Sequence, residues 1–156
     1  FAMTGWRIGY LAAPEWIAKA CNKVQGQITS GTNAIAQRAA IAALKAPKSE
    51  IQYMIDEFKK RRDLVLALLS EVEGLKVNVP EGAFYVFPDV SSFFGKTLRG
   101  RTIGNASDFS LYLLEEAMVA TVTGEAFGDA NCIRISYAAS EKELREAIRR
   151  IKESLA

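Results

Sequence analysis

At 156 residues the chain is long enough for one ordinary domain that buries roughly 70% of its unfolded surface. Apolar (49%) and charged (24%) contents are those of a soluble globular protein, and a net charge of +2 is too small to argue for nucleic acid or an acidic membrane as partner. No apolar run approaches the ~20 residues of a membrane span, and the absence of histidine removes imidazole bases, Ser-His-Asp and Cys-His arrangements and His-ligated metals from this stretch.

In chain order, residues 5–12 alternate bulky with small or charged side chains, as a strand does. Pro14 suits the first turn of a helix through about Gln27. Ser30-Gly31-Thr32-Asn33 reads as a capping and turn loop, and Ala34–Ala46 as an Ala-rich helix stopped by Pro47. Ser49 and Gln52 have capping-box spacing. Behind them Ile51, Met54, Ile55, Phe58, Val65, Leu68, Leu69 and Val72 recur at helical intervals up to Gly74. That helix spans roughly 36 Å, a length suited to running from one domain into another.

Leu75, Val77 and Val79 alternate, Pro80-Glu81-Gly82 turns the chain, and Ala83–Phe87 follows, which predicts two antiparallel strands. Asp89–Asn105 reads as an irregular, mobile loop. A helix over about Ser107–Met118, a strand at Val119–Thr123, the glycine-bracketed loop Gly124–Gly128 and a strand at Asn131–Tyr137 come next. Ser140 and Glu143 form a second capping box, ahead of an amphipathic helix whose stripe is Leu144, Ala147, Ile148, Ile151 and Leu155. The order is α/β of the α+β kind, with a short sheet covered by helices. Cys21 and Cys132 lack any C-x-x-C partner and read as buried free thiols.

Two arginines interrupt apolar strands: Arg7 between Trp6 and Ile8, and Arg134 between Ile133 and Ile135. A strand places Arg7 on the face of Gly5 and Gly9, and Arg134 on that of Cys132 and Ser136, with no acid on either face. A buried guanidinium needs a counter-ion. A distant carboxylate, access to water or a bound anion each answers that need.

Four segments resemble fold-type I pyridoxal-phosphate aminotransferases, the aspartate aminotransferase group in particular. The opening Phe1-Ala-Met-Thr-Gly-Trp-Arg-Ile-Gly-Tyr10 resembles the family's Ser-Lys-x-Phe-(Ala/Ser)-Met-x-Gly-Trp-Arg-x-Gly-Tyr. Pro80-Glu-Gly-Ala-Phe-Tyr85 resembles its P-x-G-(A/T)-F-Y. Gly124-Glu-Ala-Phe-Gly128, then Ile133-Arg-Ile-Ser-Tyr-Ala138 and a terminal amphipathic helix, resemble its ending. Any one segment is weak; four in the family's order across nearly the whole chain are specific. Thr123 departs from the proline that many relatives carry there, which leaves the stiffness of the following loop open.

The resemblance implies the small C-terminal domain of such an enzyme over 47–156, with 1–46 as a strand and helices from the junction with the large domain. It implies pyridoxal 5'-phosphate as cofactor, amino-acid and 2-oxo-acid substrates (aspartate and 2-oxoglutarate foremost), a homodimer and a cytoplasmic location. Arg7 aligns with the arginine on the cofactor phosphate, and Arg134 with the one on the substrate α-carboxylate. The Schiff-base lysine of the family stands two residues before Phe1, so the chain is expected to be cut from something longer and to be inactive by itself. No catalytic side chain and no metal ligand is assigned within it. Thr32 and Asn33 are candidates for a loop near a neighbouring subunit's site, with helix capping as the plainer reading. Phe84, Tyr85 and Phe127 read first as packing, with Phe84 and Tyr85 also candidates for the substrate cleft. Asn105-Ala106-Ser107 matches a glycosylation sequon but reads as a helix entry. The competing expectation is a non-enzymatic, aminotransferase-like binding or dimerisation module.

Overall fold

The computed structural model describes residues 1–156, which divide into two compact units, Phe1–Tyr53 and Met54–Ala156. In the first, a 3-10 turn, Thr4–Trp6, precedes an extended segment without strand pairing, and not the strand expected at 5–12. Strand geometry persists only where backbone N–H and C=O groups find partners across a ladder, and no segment pairs with this one. Helix α1 (Glu15–Ile28) starts after Pro14, with Glu15 at its positive N-terminus. Helix α2 (Ala34–Lys45) is capped by Asn33, whose Oδ1 accepts the Ala36 N–H at 3.0 Å. It stops where Ala46, forced out of helical geometry by Pro47, turns extended at ψ 140. Ala36 is the unit's one buried residue, and Cys21, expected to be buried, is exposed on α1.

The division between units falls within helix α3 (Ser49–Ser70). Ser49 is already helical, because Pro47 and Lys48 carbonyls accept the Glu50 and Ile51 N–H groups at 3.0 and 3.1 Å. The entry is therefore made by backbone, one residue ahead of the expected capping box. After α3, Gly74 adopts φ 93; a Cβ there would stand 2.8 Å from Ser92 Oγ and 3.0 Å from Phe93 Cζ.

In the second unit β1 (Tyr85–Val86) and β4 (Val122–Thr123) flank β5 (Ile133–Ser136) in an antiparallel sheet of order β1-β5-β4. The register pairs Tyr85 with Ser136, Val86 with Ile135, Val122 with Arg134 and Thr123 with Ile133. The expected hairpin between 75–79 and 83–87 does not form. Only Lys76 bridges Asp89, and the second segment spends its backbone groups on β5 instead. Residues 89–105 are also not a mobile loop. Val90, Phe93 and Ile103 are buried, and β2 (Thr97–Leu98) and β3 (Arg101–Thr102) form a hairpin through Arg99 and Gly100, both at positive φ as a tight primed turn requires.

Helix α4 (Ala106–Glu116) is capped by Asn105, which accepts the Asp108 N–H at 2.9 Å, and α5 (Glu141–Leu155) carries the full Ser140–Glu143 capping box. Two apolar clusters hold the unit. One joins Val90, Phe93, Ile103, Phe109, Tyr112 and Leu113 to Ile133 and Ile151; the other joins Val65, Leu69, Val72 and Val86 to Tyr137, Leu144 and Ile148. Partly buried Ile135 packs on both, so the apolar face of β5 lies between clusters contributed by α3, α4 and α5. This leaves Arg134 to the alternate face.

Candidate functional site

Arg134 sits at the centre of the three-stranded sheet, on β5, half-buried. Its guanidinium makes no ion pair or hydrogen bond; instead Cζ lies 4.4 Å from the centre of the Tyr85 ring and 4.1 Å from that of Phe127. Tyr85 reaches it diagonally, because Tyr85 opposes Ser136, two residues further along the same face. Phe127 reaches it from the 3-10 turn Glu125–Phe127. All five N–H donors of the fork therefore remain uncommitted, the state in which an arginine can take a carboxylate in two parallel bonds.

The turn that carries Phe127 is fixed by backbone. Gly124 N–H donates to the Cys132 carbonyl at 2.7 Å, Phe127 N–H to Gly124 O at 2.8 Å and Asp129 N–H to Gly124 O at 3.2 Å. A Cβ on Gly124 would lie 2.4 Å from Asp129 O and 2.5 Å from Cys132 O, so no other residue fits there. Gly128 closes the turn at φ 94, the left-handed region that favours glycine. Beside this loop, burial and then Asp129 push the Cys132 thiol up to about 11, which keeps it protonated and inert at neutral pH.

Arg7 lies in the other unit. It ends the 3-10 turn at φ 51 and ψ 50, so its direction follows from a left-handed kink and not from strand alternation with Gly5 and Gly9. One donor goes to the Thr4 carbonyl, from Nη1 at 3.0 Å, and no acid pairs with it. It lines an open cleft of about 730 Å³ with Ala2, Gly5, Trp6, Asn33, Ile35 and Ala36. An exposed cationic fork with spare donors, in an open cleft with no acid among its lining residues, fits a phosphate-sized anion.

Of the remaining candidates, Asn33 caps α2 and also lines that cleft, while Thr32 contributes its carbonyl to the Gln37 side chain at 2.8 Å. Phe84 packs with Phe58, 6.0 Å between ring centres, in the second apolar cluster. Tyr85 and Phe127, read first as packing, belong to neither cluster and meet at Arg134. The glycines that bracket Phe127 were the one signal in the sequence that its position is fixed; nothing local tells which side chain it faces.

The sequence matches the family described as aminotransferase class I and II over residues 1–151. It is 48% identical to the bifunctional aspartate aminotransferase and glutamate/aspartate-prephenate aminotransferase of Petunia hybrida, over 99% of this chain and 33% of that protein. A probable aspartate/prephenate aminotransferase of Rickettsia prowazekii is 49% identical over 97% of the chain and 38% of its own length. Among solved structures, the aspartate aminotransferase of Rhizobium meliloti superposes with a TM-score of 0.87 at 46% identity, covering 99% of this chain and 39% of that one. The chain thus spans only 33% to 39% of the length of these relatives. With the fold, the four segments and their order in agreement, the chain belongs to the class I and II aminotransferases and corresponds to a C-terminal part of the fold-type I architecture.

Proposed function

We propose that the chain serves a pyridoxal-phosphate-dependent aminotransferase that moves an amino group from aspartate, or a similar amino acid, to a 2-oxo acid. 2-Oxoglutarate is the first candidate acceptor, and the names of the Petunia and Rickettsia relatives add prephenate. Residues 47–156 form its small domain, and residues 1–46 belong to the junction with the large one. The active form is a homodimer in the cytoplasm. The absence of a disulfide and the exposed free thiol of Cys21 suit a reducing compartment.

The observation that carries this reading is the uncommitted guanidinium of Arg134. It takes the substrate α-carboxylate in a bidentate grip, fixing the substrate's orientation as well as its charge. A carboxylate that cannot swing keeps the Cα–H bond aligned while it breaks. Arg7 holds the cofactor phosphate with the donors left over from Thr4. Pyridoxal phosphate, when bound, supplies the electron sink for the charge that develops at Cα. Arg7 contributes position and charge neutralisation; neither arginine moves a proton.

The test is Arg134→Lys in the full-length enzyme, which keeps the charge and loses the fork. One charge-assisted pair contributes about 1.5–3 kcal/mol, so kcat/KM should fall roughly 10- to 150-fold. The fall should be similar for every amino-acid substrate, with cofactor affinity nearly intact. Release of pyridoxal phosphate, with kcat/KM unchanged once cofactor is in excess, would mean that the two arginine roles are wrongly assigned.

A further inference from the structure

Tyr85 and Phe127 are large aromatic side chains outside the two apolar clusters, although the Tyr85 ring centre lies 4.4 Å from that of Phe84 at the edge of the second. Phe127 keeps 48% of its surface exposed, yet its turn is anchored by the Gly124 N–H to the Cys132 carbonyl, closed internally by the Phe127 and Asp129 N–H groups on Gly124 O, and walled by Gly124, where no side chain fits. The partner of both rings is the same charged group, with Cζ 4.4 and 4.1 Å from their centres, well inside the ~6 Å range of cation–π attraction.

We propose that Tyr85 and Phe127 are positioning residues that form an aromatic clamp presetting the Arg134 guanidinium for a carboxylate. The inference rests on the reading of Arg134 as the carboxylate arginine. Its physical basis is a difference between two ways to hold a cation. A carboxylate neighbour would fix Arg134 firmly but would occupy its N–H donors and neutralise its charge, and substrate would have to displace it. An aromatic face attracts the cation through its quadrupole and offers no lone pair, so the donors stay free. A free arginine side chain carries about 2 kcal/mol of rotamer entropy, part of which is lost whenever a ligand orders it. Ring contacts that order it in advance remove that loss from the binding step. They also keep water from part of the guanidinium, which strengthens the bonds it then makes. The glycine-bracketed turn thus acts on substrate through Phe127 and Arg134, without touching it.

The test uses the full-length enzyme and succinate, a dicarboxylate that binds without reacting. Phe127→Leu keeps apolar bulk and removes the π face. It should raise the succinate inhibition constant and the KM for aspartate about 2- to 30-fold, the span of a cation–π contact. Saturated kcat should stay within about twofold, and pyridoxal phosphate affinity and Tm should hold. Phe127→Tyr restores a ring and should restore affinity; Tyr85→Leu should act in the same direction as Phe127→Leu. In an Arg134→Gln background, where no cation faces the rings, Phe127→Leu should add less than about twofold, because the two residues act through one contact. Succinate binding unchanged in both Leu variants, or a Phe127 effect of full size in the Arg134→Gln background, overturns the clamp. Loss of Tm and cofactor affinity together in either Leu variant, without rescue by Phe127→Tyr, assigns a merely structural role and also overturns it. If Arg134→Lys itself leaves succinate binding unchanged, the carboxylate reading falls and the clamp with it; if Arg134→Lys weakens binding and neither Leu variant does, only the clamp falls.

Discussion

In the unit Met54–Ala156, Ile103, Phe109, Tyr112 and Leu113 are wholly removed from solvent, whereas in Phe1–Tyr53 Trp16, Ile28 and Ile35 stand 73%, 74% and 70% exposed. Both units carry helices with an apolar stripe, although only the second has strands. Helix α1 aligns Trp16, Ala20, Val24 and Ile28 on one face four residues apart, and α5 aligns Leu144, Ile148 and Ile151 on another. Only the second stripe is covered. Amphipathic spacing therefore reports that a helix has an apolar face and says nothing about what lies against it.

The largest expected effect separates the units by core truncation. In the 156-residue chain Phe109→Ala removes a ring stacked 4.9 Å from Phe93 inside a sealed cluster, and should cost about 3–5 kcal/mol. Trp16→Ala removes a larger ring and should stay within about 0.5 kcal/mol. Urea unfolding of both variants checks this, and equal losses would erase the distinction.

Glycine substitutions should differ in sign as well as size. Gly124→Ala forces a Cβ against the Asp129 and Cys132 carbonyls and should destabilise by about 1–3 kcal/mol. Gly26, inside α1, has nothing within 4 Å of an added Cβ; Gly26→Ala should favour its helix by about 0.5–1 kcal/mol. Thermal melts for the first and helicity by circular dichroism for the second are the measurements.

Capping should separate the units less sharply. Ser140→Ala breaks the capping box of a helix packed on both clusters and should cost about 1 kcal/mol of global stability. Asn33→Ala removes an equivalent cap from α2, and should appear mainly as faster amide exchange in α2, because little packing couples that helix to the global transition.

The smallest effects concern titration. Cys21, exposed, should react with a dithiobis-nitrobenzoate reagent in the native chain, and Cys132 only on unfolding. The folded chain holds the Cys132 proton from the ordinary 9.0 up to about 11. The stability this contributes is complete below the ordinary value and is lost as pH rises through that window. At the other end of the scale, hydrogen bonds from Arg149 and then Arg150 hold the Glu146 carboxyl down to about 2. Its contribution is present above the ordinary 4.5 and disappears as pH falls towards about 2. Being fully exposed, that cluster should matter less as salt is added. Glu146→Gln should flatten the acid limb of the stability curve slightly; an unchanged limb would mean that solvent screens the pair entirely.

Local chemistry determined much of this protein from the sequence alone. Pro14, Asn33, Pro47, Asn105 and the Ser140–Glu143 box set helix ends because capping and proline constraints act within a few residues. The two glycines of 124–128 fixed a turn, and the order of four segments carried the family. Tertiary structure decided whatever depends on a partner distant in sequence. Residues 5–12 have strand alternation but no ladder to join, and 83–87 chose β5 over the nearer 75–79, because a strand exists only where its backbone groups are paired. Val90, Phe93 and Ile103 turned an irregular segment into core, because burial depends on which surfaces meet. Arg134 could be singled out from its apolar neighbours, yet Tyr85 and Phe127, about fifty residues before it and seven before it, became its surroundings only when β1 and the glycine-bracketed turn closed on β5.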